Sequence, residues 1–124
     1  FRPFAPAILE EFASDYFDSK DSCNVPFMEK VFKFKPEFID KFPAIVHYDG
    51  TGRLQSVSKK TNPRFYSLIH SFYELTGIPI LVNTSFNLNG EPIVESPRDA
   101  IKTFYMCGLD YLVLGNFLIS KKNE

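Results

Sequence analysis

Between Asn83 and Glu91 the chain runs NTSFNLNGE, so amide and hydroxyl side chains crowd together at Asn83, Thr84, Ser85 and Asn87, with a carboxylate at Glu91. Amides and hydroxyls both donate and accept. They therefore suit a small polar ligand, such as a phosphate, that needs several short, directed hydrogen bonds. The same residue types also build turns, and Asn89-Gly90 is a hairpin signal in its own right. A ligand site and a polar turn are both open readings of this stretch.

Three further places carry chemistry. Arg2 lies in FRPFAP, where two prolines favour an extended backbone and leave the guanidinium projecting; it reads either as an anion binder or as a surface arginine on a frayed terminus. The segment HYDGTGRLQ holds His47, Asp49, Arg53 and Gln55 on or beside a Gly-Thr-Gly turn. Residues two apart on a strand share a face, so His47 with Asp49 and Arg53 with Gln55 could line one surface. His47 can equally be a histidine bonded to a neighbouring carboxylate and chemically idle. Lys30, Lys33 and Lys35 read as the solvated side of a strand. No residue set has a metal-ligand spacing, and neither a Walker-type loop nor a nucleophile elbow is present.

The elements that must position these groups follow from periodicity. Ile78 to Val82 is a short apolar run expected to form a strand buried on both faces, with the polar cluster at its C-terminal end, where ligands bind in open α/β sheets. Ile8 to Phe17 has helical spacing, and Phe27 to Lys35 alternates as a strand. Pro36 to Phe42 suits a single helical turn, and residues 44 to 58 suit a β-hairpin. Pro63 to Thr76 is the clearest helix, with Phe65, Leu68, Ile69, Phe72 and Leu75 as its stripe, Gly77 as its cap and His70 facing solvent. A second helix starts at Ser96-Pro97 and runs toward Gly108. Tyr111 to Ile119 closes the chain as a hairpin. Strands interleaved with helices give one α/β (α+β) domain over residues 1–124, a twisted mixed sheet flanked by helices.

With 14 basic and 15 acidic residues among 124, the net charge of −1 offers no broad attraction to nucleic acid or an anionic membrane. No apolar run is long enough to span a bilayer, and no charged-then-hydrophobic leader begins the chain. Cys23 and Cys107 fit neither a disulfide framework nor a metal motif, so reduced thiols and a cytoplasmic setting are expected. The chain begins at Phe1 and enters patterned sequence at once, as a piece of something longer would. A truncated sheet would leave an edge strand through which two copies could pair as a homodimer.

FRPFAP, HYDGTGRLQSV and ILVNTSFNLNGEPIVESPRDA, in that order, resemble the C-terminal region of the O-carbamoyltransferases of antibiotic and nodulation-factor tailoring, over almost the whole chain. The resemblance implies a YrdC-like domain that binds ATP, with Mg2+, and carbamoyl phosphate and forms a carbamoyl-adenylate. It also implies an N-terminal Kae-type domain, absent from this stretch, that holds the parent enzyme's metal and passes the carbamoyl group to an acceptor hydroxyl. Carried onto this sequence, Arg2, Arg53, Asn83 and Ser85 surround the phosphates and carbamoyl group, with Arg53 and Ser85 closest to the chemistry. His47, Asp49, Asn87 and Glu91 form a second rank. In that family a Gly- and Arg-containing segment and a Lys-bearing one precede FRPFAP, so this chain alone is expected to hold part of the site and to be inactive by itself. The competing expectation is a non-catalytic YrdC-like module that binds RNA or a partner, with Lys30, Lys33, Lys35, Lys59 and Lys60 as its contacts.

Overall fold

The computed structural model describes residues 3–18 and 23–121. Helices and strands alternate through them in an α+β arrangement, and the chain divides into two compact units, one ending at Thr84 and one starting at Ser85.

The first unit is built on β1 (Ala5–Leu9), whose five residues are all buried. On one side it pairs in parallel with β5 (Gln55–Val57), and on the other antiparallel with β6 (Ile80–Asn83), giving a mixed sheet ordered β5-β1-β6. The helix expected from Ile8 is therefore shorter: Ile8 and Leu9 belong to β1, and only a 3-10 turn (Glu10–Phe12) and α1 (Ala13–Tyr16) are helical. Burial on both faces favours the strand for those two side chains. Pro6 is tolerated in a central strand because the parallel ladder to β5 starts one residue later, at Ala7, so that neighbour asks nothing of its missing N–H.

The 78–82 run is likewise shifted. β6 is an edge strand with Val82 51% exposed, rather than a strand covered on both faces. Its C-terminal end lies beside the N-terminal end of β1, with Asn83 opposite Ala5.

A second, antiparallel sheet joins β2 (Phe17–Asp18), β3 (Val31–Phe34) and β4 (Thr51–Arg53). Its inner face is aromatic: Phe17 and Phe34 lie with ring centroids 4.2 Å apart, and Phe32 completes the row. Gly52 is required there, since a Cβ on it would stand 2.5 Å from the Phe34 ring. The helical turn after β3 is α2 (Pro36–Ile39).

The expected 44–58 hairpin does not form. A tight turn is present, with the His47 N–H donating to Thr51 O at 2.7 Å and Gly50 at φ +77°, but residues before it run in turns rather than a strand. Leu54, fully buried, separates β4 from β5, and the two strands join different sheets. Burying that leucine stabilises the crossover by about 1.5–3 kcal/mol.

Helix α3 (Pro63–Thr76) begins with proline in its first turn and ends on Gly77 at φ +73°, a left-handed cap. Ile69 packs with Ala7, Leu9 and Val57, while Leu68 and Leu75 are exposed. Two polar ties reach the turn after β1: Ser58 Oγ, just after β5, donates to Glu10 Oε1 at 2.7 Å, and the hydroxyl of Tyr66 in the first turn of α3 donates to the Glu11 carboxylate. His70 is half-exposed between Tyr66 and Tyr73, 3.7 Å from Glu74.

In the second unit, α4 (Pro97–Met106) starts from Ser96, whose Oγ accepts the Asp99 N–H at 3.2 Å and donates to Asp99 Oδ2 at 2.6 Å. That hydroxyl holds the Asp99 carboxyl below its ordinary range. Strands β7 (Tyr111–Leu114) and β8 (Phe117–Ser120) form the closing hairpin. Cys23 and Cys107 are both free thiols, and no helix among the described residues is long and apolar enough to cross a membrane.

Candidate functional site

Asn83 ends β6 and Gln55 begins β5, on either side of β1. The Asn83 Nδ2 donates to Gln55 Oε1 at 2.6 Å, and Gln55 Nε2 donates in turn to Pro26 O at 3.1 Å. This chain of amides fixes both side chains at one end of the sheet and leaves the Asn83 carbonyl oxygen as an oriented acceptor.

Arg53 lies two residues before Gln55, at the end of β4 and opposite Val31. Its side chain is exposed, and among the described residues it makes no ion pair. Lys33 sits opposite Thr51 in the same sheet, so Lys33 and Arg53 share the outer face as diagonal neighbours, roughly 7–8 Å apart in such ladders. A guanidinium and an ammonium on one strand face have the charge and donor geometry that complement an oxyanion.

The adjoining turn is organised by Thr51. Its Oγ1 donates to Asp49 Oδ1 at 2.7 Å and lies 3.1 Å from His47 Nδ1, while the Thr51 N–H also reaches Asp49 Oδ1 at 3.1 Å. Hydrogen bonding from the Thr51 hydroxyl, then from its N–H, lowers the Asp49 carboxyl from its ordinary value. His47 and Asp49 are thus brought together through Thr51.

In the second unit Ser85 is exposed. Asn87 is turned inward on its own loop, its Nδ2 donating to both Leu88 O and Glu91 O at 3.0 Å. Glu91 lies 3.8 Å from Lys102, at a cavity of about 350 Å³ that also includes Asp99 and Thr103. Asn87 and Glu91 are therefore adjacent, with the Asn87 amide engaged in shaping the loop. Arg2 lies outside the described residues.

Two contributors escaped the sequence reading. Lys33 looked like an ordinary solvated lysine, and only the register to β4 sets it beside Arg53. Gln55 was paired with Arg53 alone; its bond to Asn83 crosses 28 residues and leaves no local signal. Among the described residues no three His, Cys, Asp or Glu side chains converge as a metal site.

Comparison with known proteins matches residues 1–121 to the family model described as carbamoyltransferase C-terminus. The chain is 50% identical over 123 residues to nodulation protein NolO of Bradyrhizobium diazoefficiens and 46% identical over 123 residues to nodulation protein NolNO of Sinorhizobium fredii. Each alignment covers 98% of this chain but 22% and 18% of those relatives, so the chain spans about a fifth of their length. Nodulation protein U of Rhizobium tropici is 43% identical over 90 residues, covering 73% of this chain and 15% of the relative. The chain belongs to the carbamoyltransferase C-terminus family.

Proposed function

We propose that this chain is the part of an O-carbamoyltransferase that binds carbamoyl phosphate and ATP and supports formation of a carbamoyl-adenylate, with a Kae-type domain elsewhere in the parent protein delivering the carbamoyl group to an acceptor hydroxyl. The observation that carries the reading is Arg53: a guanidinium held on a strand end, free of any described carboxylate, diagonal to Lys33 and two residues before Gln55, which bonds to Asn83.

Water first cleaves the anhydride of carbamoyl phosphate, releasing inorganic phosphate and leaving carbamate; a carbamate oxygen then joins the α-phosphorus of ATP and expels pyrophosphate. Negative charge gathers on phosphoryl oxygens, so the reaction calls for fixed cations and oriented donors more than for a strong base. Arg53 supplies a planar fork matched to two phosphate oxygens, and Lys33 adds a compact positive charge. Asn83 offers its carbonyl oxygen to a carbamoyl N–H. Arg2 adds a second guanidinium. Nothing in this set is an activated nucleophile, which accords with transfer without a covalent enzyme intermediate. ATP would bring Mg2+ with it, neutralising charge between its phosphates.

The test is carbamoyl-phosphate-dependent exchange of labelled pyrophosphate into ATP by the full-length protein. Exchange that is lost in Arg53→Ala and partly kept in Arg53→Lys supports the assignment. Exchange at the wild-type rate in Arg53→Ala would remove Arg53 from the site.

A further inference from the structure

Joining carbamate to ATP calls for no base, but the cleavage before it does. Water that attacks carbamoyl phosphate gives up a proton, and neither a guanidinium nor an ammonium can take it. A proton acceptor is needed on the face that carries Arg53.

The register places one there. Thr51 and Arg53 are two apart on β4 and so project to the same side, and Lys33 stands directly opposite Thr51 on that side. Phe32, Gly52 and Phe34 belong to the other, aromatic side. The turn folds His47 back onto the outer face: its N–H donates to Thr51 O at 2.7 Å, and its Nδ1 lies 3.1 Å from Thr51 Oγ1. His47, Lys33 and Arg53 therefore flank one threonine.

The hydrogens at that threonine fix the histidine. A hydroxyl has one proton to give, and Thr51 gives it to Asp49 Oδ1 at 2.7 Å. The same carboxylate oxygen accepts the Thr51 N–H at 3.1 Å, which holds Asp49 in place for that bond. Thr51 Oγ1 can then only accept from His47, so the imidazole carries its proton on Nδ1. The lone pair of the neutral ring is left on Nε2. No hydrogen bond to Nε2 exists among the described residues, and His47 is only half-buried. A carboxylate thus orients a base through one intervening hydroxyl, the arrangement that sets the tautomer of a working histidine.

We propose that His47 is the proton acceptor in the cleavage of carbamoyl phosphate, with Thr51 and Asp49 as the positioning residues that keep Nε2 free for it. The water oxygen bonds to phosphorus, the bond from phosphorus to the bridging oxygen breaks, and carbamate leaves with that electron pair. One water proton passes to Nε2 and the other stays on the released phosphate. Arg53 and Lys33 oppose the charge on the phosphoryl oxygens. Asp49 stabilises the imidazolium through the Thr51 hydroxyl until its proton returns to solvent. This inference rests on the carbamoyl-phosphate reading above and supplies the acid–base group that reading lacks.

The experiment is exchange of labelled pyrophosphate into ATP by the full-length protein, driven in parallel by carbamoyl phosphate and by ammonium carbamate. Carbamate enters after the water step and so bypasses the base. A general base contributes about a hundred- to ten-thousandfold in rate. In His47→Gln the ratio of carbamoyl-phosphate-driven to carbamate-driven exchange should fall by an amount of that order. Thr51→Ala should lower the same ratio, and Thr51→Ser, which keeps the hydroxyl, should restore it. A purely structural role would lower both rates together and leave the ratio where it was. An unchanged ratio in His47→Gln, with carbamoyl-phosphate-driven exchange still lost in Arg53→Ala, would overturn the base and leave the phosphate site standing. Absence of exchange by the wild type with either substrate would overturn both.

Discussion

The carboxamides of Asn83 and Gln55 meet at 2.6 Å at one end of the sheet whose central strand is β1. Asn83 closes β6 and Gln55 opens β5, so the bond joins the two outer strands of that sheet. It also connects the end of β6 to the segment that carries Arg53.

Replacing Asn83 with alanine removes the donor and leaves the partly buried Gln55 oxygen unpaired. The expected cost is about 1 kcal/mol, the net worth of a typical hydrogen bond. A urea midpoint lowered with an unchanged slope would show it, and an unaltered midpoint would mean that the amide pair does not hold the sheet end.

Gly52 predicts a larger loss. An added methyl would meet the Phe34 ring at 2.5 Å, and Phe34 is itself clamped against Phe17 at 4.2 Å, so the ring cannot withdraw freely. Gly52→Ala should destabilise by roughly 1–3 kcal/mol through overpacking, measured by chemical denaturation. Combined with Phe34→Leu, which clears the ring, the double variant should lose less stability than the sum of the two single losses, the mark of a direct clash.

Tyr66 sets an alkaline limit. Its hydrogen bond to the Glu11 carboxylate, then burial and the charges of Glu11 and Glu10, push its phenol up to about 12 from 10.0. The folded state favours the protonated phenol, so the stabilisation is complete below pH 10 and is lost as pH rises through about 12. Melting curves between pH 9 and pH 12 should fall more steeply for the wild type than for Tyr66→Phe. The difference between the two proteins isolates this group from Tyr16, whose phenol burial also raises. Parallel curves would show that the Tyr66–Glu11 bond does not form in solution.

Local chemistry made several elements legible in advance. Helix α3 has an apolar stripe between proline and glycine, α4 has the Ser96 cap with proline behind it, and the final hairpin has its Gly115-Asn116 turn; each forms where the pattern places it. The failures share a cause. APAIL carries alanine and proline where strands prefer branched and aromatic residues, yet it becomes the central strand because β5 and β6, about 50 and 75 residues away in sequence, cover it on both sides. Residues 51–57 look like half of one hairpin and instead serve two sheets, since Leu54 buries between them. At the candidate site, Arg53 and Asn83 stood out by residue type. Lys33 and the role of Gln55 depended on register and on a long-range side-chain bond, neither of which has a local signature.

The measurement that bears most directly on the account is calorimetric titration of carbamoyl phosphate into the full-length protein and its Arg53→Ala variant. A charge-assisted hydrogen bond to a ligand contributes about 1.5–3 kcal/mol, so Arg53→Ala should bind carbamoyl phosphate roughly ten- to a hundredfold more weakly, with Arg53→Lys between the two. Equal affinity for the wild type and Arg53→Ala would contradict the assignment of the exposed end of β4 as the oxyanion site.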